Sequence, residues 1–139
     1  MSSEENKNLI VRLLDAMNDG DAETIKKNLT ADFIRHDLVQ VFSPAFGREG
    51  AGELVEALHR GLPDLQVDID DIFASGDRVV VREVNRGTHT GPLLGVEPTG
   101  RSIEFSGISI YRIEGGRIAE TWQHIDWHGA LRQLGVESS

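Results

Sequence analysis

The hydrophobic period of this chain changes once, near Pro63, and that change constrains the fold more than any other feature. Before it, apolar residues recur at three- and four-residue spacing, as on helices. After it they alternate, as on strands. Leu9, Ile10, Leu13, Leu14 and Met17 form one stripe of a first helix that runs from Ser2 or Ser3 to near Asn18. Ser2 followed by Glu5 offers a capping-type start. Asp19-Gly20-Asp21 stops that helix and caps a second, short one from Ala22 to Leu29. Thr30-Ala31-Asp32 breaks it, and Phe33 to Asp37 reads as a short extended segment. Residues 38–49 hold Pro44 and Gly47 without a clear period, and read as a loop, a flap over the sheet. A third helix from Arg48 or Gly50 to His59 shows Leu54, Val55 and Leu58 on one face, and Gly61 and Pro63 end it.

Beyond Pro63, Leu65, Val67 and Ile69 alternate with Gln66, Asp68 and Asp70. Gly76-Asp77 is a hairpin turn leading into a long strand from Arg78 to Thr90. A connection from Gly91-Pro92 reaches a further strand, Arg101 to Ile113, with Ile103, Phe105, Ser109, Tyr111 and Ile113 on one face. Glu114-Gly115-Gly116 turns the chain into a last strand, Arg117 to Asp126, and Trp127 to Val136 reads as a short terminal helix. Three helices followed by an antiparallel meander of about four long strands is an α+β pattern, read as one domain over 1–139. Such a sheet buries itself most simply by curling around the helices, which leaves a conical hollow suited to a ligand.

Composition narrows the function classes. The 14 basic and 23 acidic residues give a formal charge of −9, which argues against a nucleic-acid or anionic-membrane surface. There are no cysteines, so disulfides, thiolate metal sites and a cysteine nucleophile are excluded. No apolar run approaches the ~18 residues that span a bilayer. The polar, acidic start lacks the pattern of a signal peptide, so a cytoplasmic location is the default expectation.

In the last strand Trp122, His124 and Asp126 share a face. Facing solvent, they are ordinary surface residues; facing a cavity, they are an aromatic wall, an imidazole and a carboxylate. Asp126 also has a bland reading, as N-cap of the helix beginning near Trp127. His89, among turn-forming glycines, bonds across its turn or serves chemistry. His36 reaches a pocket or pairs with Asp37. Tyr111 donates into a pocket or fills the core. Glu83 and Asn85 share parity with His89 and are either pocket polars or exposed. A metal site from His124, Asp126 and His128, with His36 or His89, would need the strand to run past Trp127, so no metal is assigned.

The stretches Phe33 to Asp37 (FIRHD), Gly87 to Gly91 (GTHTG), Pro98-Thr99-Gly100, Ile110 to Gly116 (IYRIEGG), Trp122 to Asp126 (WQHID) and Gln133-Leu134-Gly135, in this order, resemble the SnoaL-like polyketide cyclases. These belong to a wider group with nuclear transport factor 2, ketosteroid isomerase and scytalone dehydratase. The resemblance implies an NTF2-like cone-shaped α+β barrel, three N-terminal helices packed in a strongly curved antiparallel sheet. It implies an intramolecular aldol cyclisation of an apolar, polyketide-like carbonyl compound, without metal or cofactor. In that reading Asp126 is the acid/base group, and His124 or His89 steadies the oxyanion. Trp122, His36, Tyr111 and Leu14 shape the pocket, and a homodimer forms through the outer sheet face. The Leu13-Leu14 pair stands where relatives often carry aromatics, so that end of the pocket is expected to be wider and more aliphatic. Two rivals share the fold. One is another acid/base enzyme (isomerase, dehydratase, or an epoxide hydrolase needing an inward arginine between two aspartates). The other is a non-catalytic binding or dimerisation module.

Overall fold

The computed structural model describes residues 2–37 and 47–136. The expected flap lies, over 38–46, outside them. The elements are α1 (Ser3–Asp19), α2 (Ala22–Lys27), β1 (Leu29–Asp37), α3 (Arg48–Gly61), β2 (Gln66–Ser75), β3 (Arg78–Thr88), β4 (Ser102–Glu114), β5 (Arg117–Ile125) and α4 (Trp127–Gln133). α1 begins and ends for local reasons. The Ser2 hydroxyl accepts from the Glu5 N–H at 3.1 Å, and the Glu5 carboxylate accepts from the Ser2 N–H at 3.2 Å, which closes the capping box. Gly20, at φ 68, takes the left-handed conformation that ends α1. The stripe Leu9, Ile10, Leu13 and Leu14 is buried against the sheet, each Leu or Ile side chain contributing about 2 kcal/mol of burial.

The strands form one sheet in the order β1-β5-β4-β3-β2. β2, β3, β4 and β5 make the expected antiparallel meander. The segment expected as a short extension, 33–37, belongs to a nine-residue edge strand that pairs parallel with β5, so the sheet is mixed. β3 and β4 pair without interruption from Arg78↔Arg112 to Thr88↔Ser102. β5 does not pair so evenly. Ile113 faces Ile118, but Arg112 faces Glu120, which leaves Ala119 as an extra residue, a β-bulge.

That bulge decides which side chains enter the cone. Ile118 is fully buried and faces inward with Ile113. Past Ala119 the parity flips, so Thr121, Gln123 and Ile125 follow Ile118 inward, and Glu120, Trp122 and His124 point outward. The inner faces of β3 and β4 carry Val79, Val81, Glu83, Asn85, Ile103, Phe105, Ser109, Tyr111 and Ile113, all buried. The convex face carries ion pairs such as Arg82–Asp70 and Arg86–Asp68, with Ile34, Phe73 and Ile108 exposed among them.

Candidate functional site

Between the inner sheet face and the helices lies a cavity of about 50 Å³. Leu13 of α1, Ile25 of α2, Phe33 of β1, and Leu54 and Val55 of α3 form its apolar wall. Its polar wall is Arg35, Tyr111, Thr121 and Gln123. Arg35 is inward because β1 runs beside β5 with Arg35 opposite Thr121, and it is buried.

Behind Tyr111 the inner face continues as a polar line. Ser109 stands opposite Gln123 across the β4–β5 ladder and opposite Val81 across β3–β4. Ser109 and Gln123 are the polar side chains that act on the Tyr111 hydroxyl. Ser109 Oγ donates to Glu83 Oε1 at 3.5 Å, and Asn85 also steadies the charged form of the carboxyl. Asn85 Nδ2 is anchored on the Phe105 carbonyl at 3.4 Å. Glu83 is the only buried acid among the described residues, 3% exposed. Burial disfavours its charge and pushes its pKa up to about 7, against the opposing hydrogen bonds from Ser109 and Asn85. Burial, with the nearby Glu83 charge, raises the Tyr111 phenol well above its ordinary value. The cone therefore holds a carboxyl that exchanges a proton near neutrality and a phenol that keeps its own.

The residues expected from sequence fall elsewhere, with one exception. Trp122 is half-buried on the convex face. There it stacks on His36 at 5.5 Å, and the Arg78 guanidinium sits 4.9 Å above its ring. His36, expected at the pocket, is on that same face, paired with Glu120 at 2.6 Å. His124 and Asp126 share a separate groove of about 410 Å³ with Asp70, Arg82, Ser106 and Ile108, and neither lines the cavity of the cone. The physical reason is the Ala119 bulge, which turns Trp122 and His124 to the outer face, while Asp126, past the end of β5, joins His124 in the groove without Trp122. Asp126 is exposed and caps α4, accepting from the Gly129 N–H at 2.8 Å.

His89 is fully buried and holds its loop rather than a ligand. The Thr99 N–H donates to Nδ1 at 3.1 Å, so the ring proton is on Nε2, which donates to the Val96 carbonyl at 3.2 Å. Leu14 packs in the core, and its neighbour Leu13 lines the cavity instead, because one helical step turns a side chain by about 100°. Tyr111 is where it was expected. Among the described residues no three His, Cys, Asp or Glu side chains group as a metal site. The inward arginine of an epoxide-hydrolase relay exists in Arg35, but Asp126, its assigned partner, is outside the cone. Sequence reasoning missed Arg35, Thr121 and Gln123. Their inward facing depends on a bulge and a parallel pairing that no local pattern announces. Glu83 and Asn85 were visible, at the same parity as Val79 and Val81.

A family model described as SnoaL-like polyketide cyclase matches residues 8–134. Among solved structures, AclR of Streptomyces galilaeus, described as a candidate hydroxylase, is 29% identical with a TM-score of 0.86, over 99% of this chain and 86% of its own. TsrD of Streptomyces laurentii is 29% identical, TM-score 0.85, over 97% of this chain and 98% of its own. IdmH of Streptomyces antibioticus, described as a candidate polyketide cyclase, is 33% identical, TM-score 0.82, over 94% and 99%. No curated protein matches the chain significantly in sequence.

Proposed function

The chain belongs to the SnoaL-like polyketide cyclase family, and from that premise we propose that it is a cofactor-independent acid/base enzyme acting on an apolar carbonyl compound inside the cone, with Glu83 as the group that takes up and returns the proton. The reaction class is proton removal alpha to a carbonyl, leading to an intramolecular aldol closure. The single observation that carries this is the Glu83 carboxyl buried on the inner face and bonded to Ser109 and Asn85, with a pKa near 7. A base is most effective when its pKa is close to the working pH, and desolvation supplies that match here. The role that the family resemblance suggested for Asp126 passes to Glu83, because Asp126 is outside the cavity and its carboxylate is committed to a helix cap.

The test is exchange of the alpha protons of 2-tetralone in D2O, followed by proton NMR. Wild-type protein is expected to accelerate exchange, Glu83→Gln to lose about 100-fold or more of that acceleration, and Asp126→Asn to keep it. Full exchange in Glu83→Gln, or loss in Asp126→Asn, removes the assignment. A second reading, a non-catalytic small-molecule binding module, is favoured by the modest 50 Å³ of open space. It predicts no acceleration by the wild type.

A further inference from the structure

Glu83 is not itself on the cavity wall, whereas Tyr111 and Gln123 are. From the cavity outward the polar groups run Gln123 and Tyr111, then Ser109, then Glu83 and Asn85. All lie on one inner sheet face, with Ser109 opposite Gln123 and Tyr111 opposite Thr121. We propose that the Tyr111 hydroxyl and the Gln123 amide form the oxyanion-binding pair of the cone, holding an enolate- or phenolate-like oxygen while Glu83 carries a proton behind them. This rests on the acid/base reading of Glu83.

An oxyanion in a dry cavity needs donors already aimed at it. Tyr111 is 3% exposed, so its hydroxyl has no bulk water to turn to. It meets only Ser109 and Gln123 among the hydrogen-bonding groups named around it. Its phenol holds its proton, for burial and the Glu83 charge both oppose ionisation, so it remains a donor at any working pH. The Gln123 amide provides the second N–H donor. A ligand oxyanion and an ionised Glu83 would repel each other across Ser109, so the anion and the protonated carboxyl are favoured together.

That coupling is the proton balance of the reaction. The alpha C–H bond breaks, and its electron pair forms the enolate, whose charge rests on oxygen. The proton lost from carbon ends as a new O–H on Glu83 by way of a solvent water, Tyr111 keeping its own O–H as the oxyanion donor, and the net charge of the site is unchanged. The charged group on the wall is Arg35 of β1, which also favours an anion. α1 and α3 present only Leu13, Ala51, Leu54 and Val55. The ligand class is thus a planar, weakly acidic carbonyl compound that binds as its enolate, and not a cation.

The experiment uses 4-nitrophenol, whose phenolate absorbs in the visible, with nitrobenzene as its neutral counterpart, titrated into the whole protein at pH 8. Wild type is expected to bind the phenolate. Tyr111→Phe should weaken phenolate binding about 10-fold or more and leave nitrobenzene unchanged, because a hydrogen bond to a charged group is lost. Glu83→Gln should tighten phenolate binding by removing the competing charge. No phenolate binding by wild type, an equal loss of both ligands in Tyr111→Phe, or weaker phenolate binding in Glu83→Gln overturns the proposal. If Tyr111→Phe does not fold, Gln123→Leu is read by the same ratio of phenolate to nitrobenzene affinity. Phenolate selectivity without tetralone exchange leaves the oxyanion pair standing and removes the enzymatic reading; exchange without selectivity does the reverse.

Discussion

Asp126 shows how one side chain can satisfy a motif without serving its chemistry. Its carboxylate accepts the Gly129 N–H at 2.8 Å, and its own N–H donates to the Ser106 carbonyl at 2.9 Å. The first ties α4 to the end of β5 and the second ties that end to β4, where Trp127 then packs on Phe105 at 5.4 Å between ring centres. Asp126→Ala is expected to lose about 1 kcal/mol of stability in urea titration, the usual worth of an N-cap, without loss of tetralone exchange. A much larger loss would mean that the carboxylate has a partner beyond the cap. Glu83 is the opposite case, a residue with no motif around it whose burial makes it chemical.

At the scale of elements, the end of α3 and the loop after β3 are locked by close backbone approach. The N–H groups of Thr90 and Gly91 both donate to the Gly61 carbonyl at 3.2 Å. A Cβ on Gly91 would sit 1.8 Å from the Arg60 carbonyl oxygen, a backbone atom that cannot swing aside as a flexible side chain would. Gly91→Ala is therefore expected to cost at least about 2 kcal/mol, by overpacking and by parting α3 from the loop that His89 holds. Gly95→Ala is the control in the same loop. Its φ is +76 and its Cβ would meet nothing within 4 Å, so only the left-handed strain of roughly 1 kcal/mol remains. Equal melting shifts for the two variants would contradict this account. The helices and strands themselves were legible, because caps, glycine stops and hydrophobic period are local. The parallel docking of β1 beside β5 was not, because a nine-residue strand with Arg35 and His36 on opposite faces does not name its neighbour.

For the whole molecule, Glu83 links pH to stability. Its folded-state pKa of about 7 lies above the ordinary value of 4.5, so the folded protein holds a proton that the unfolded chain releases between these values. Stability from this group is full below about pH 4.5 and falls as pH rises toward 7. It stays low beyond that, a loss of about 3 kcal/mol at roughly 1.4 kcal/mol per pH unit. Glu83→Gln should remove this slope. Its stability relative to wild type should rise between pH 5 and pH 8, measured by urea denaturation at each pH. A difference that does not grow with pH would show that Glu83 ionises as freely in the fold as outside it.

The alternation in β4 by itself determined that Ile103, Phe105, Ser109, Tyr111 and Ile113 share a face. The alternation in β5 likewise determined that Trp122 and His124 share one. Side-chain period is a local property of an extended backbone, so it survives any tertiary arrangement. Which of the two faces is the inside of the cone is not local. It was decided by the register of β5 against β4, where Ala119 is one residue too many for the ladder and turns Thr121 and Gln123 inward. A two-residue period is reversed by a single inserted residue. For that reason the candidate site moved from one side of the sheet to the other while the strands β2 to β5 stayed where the sequence had placed them.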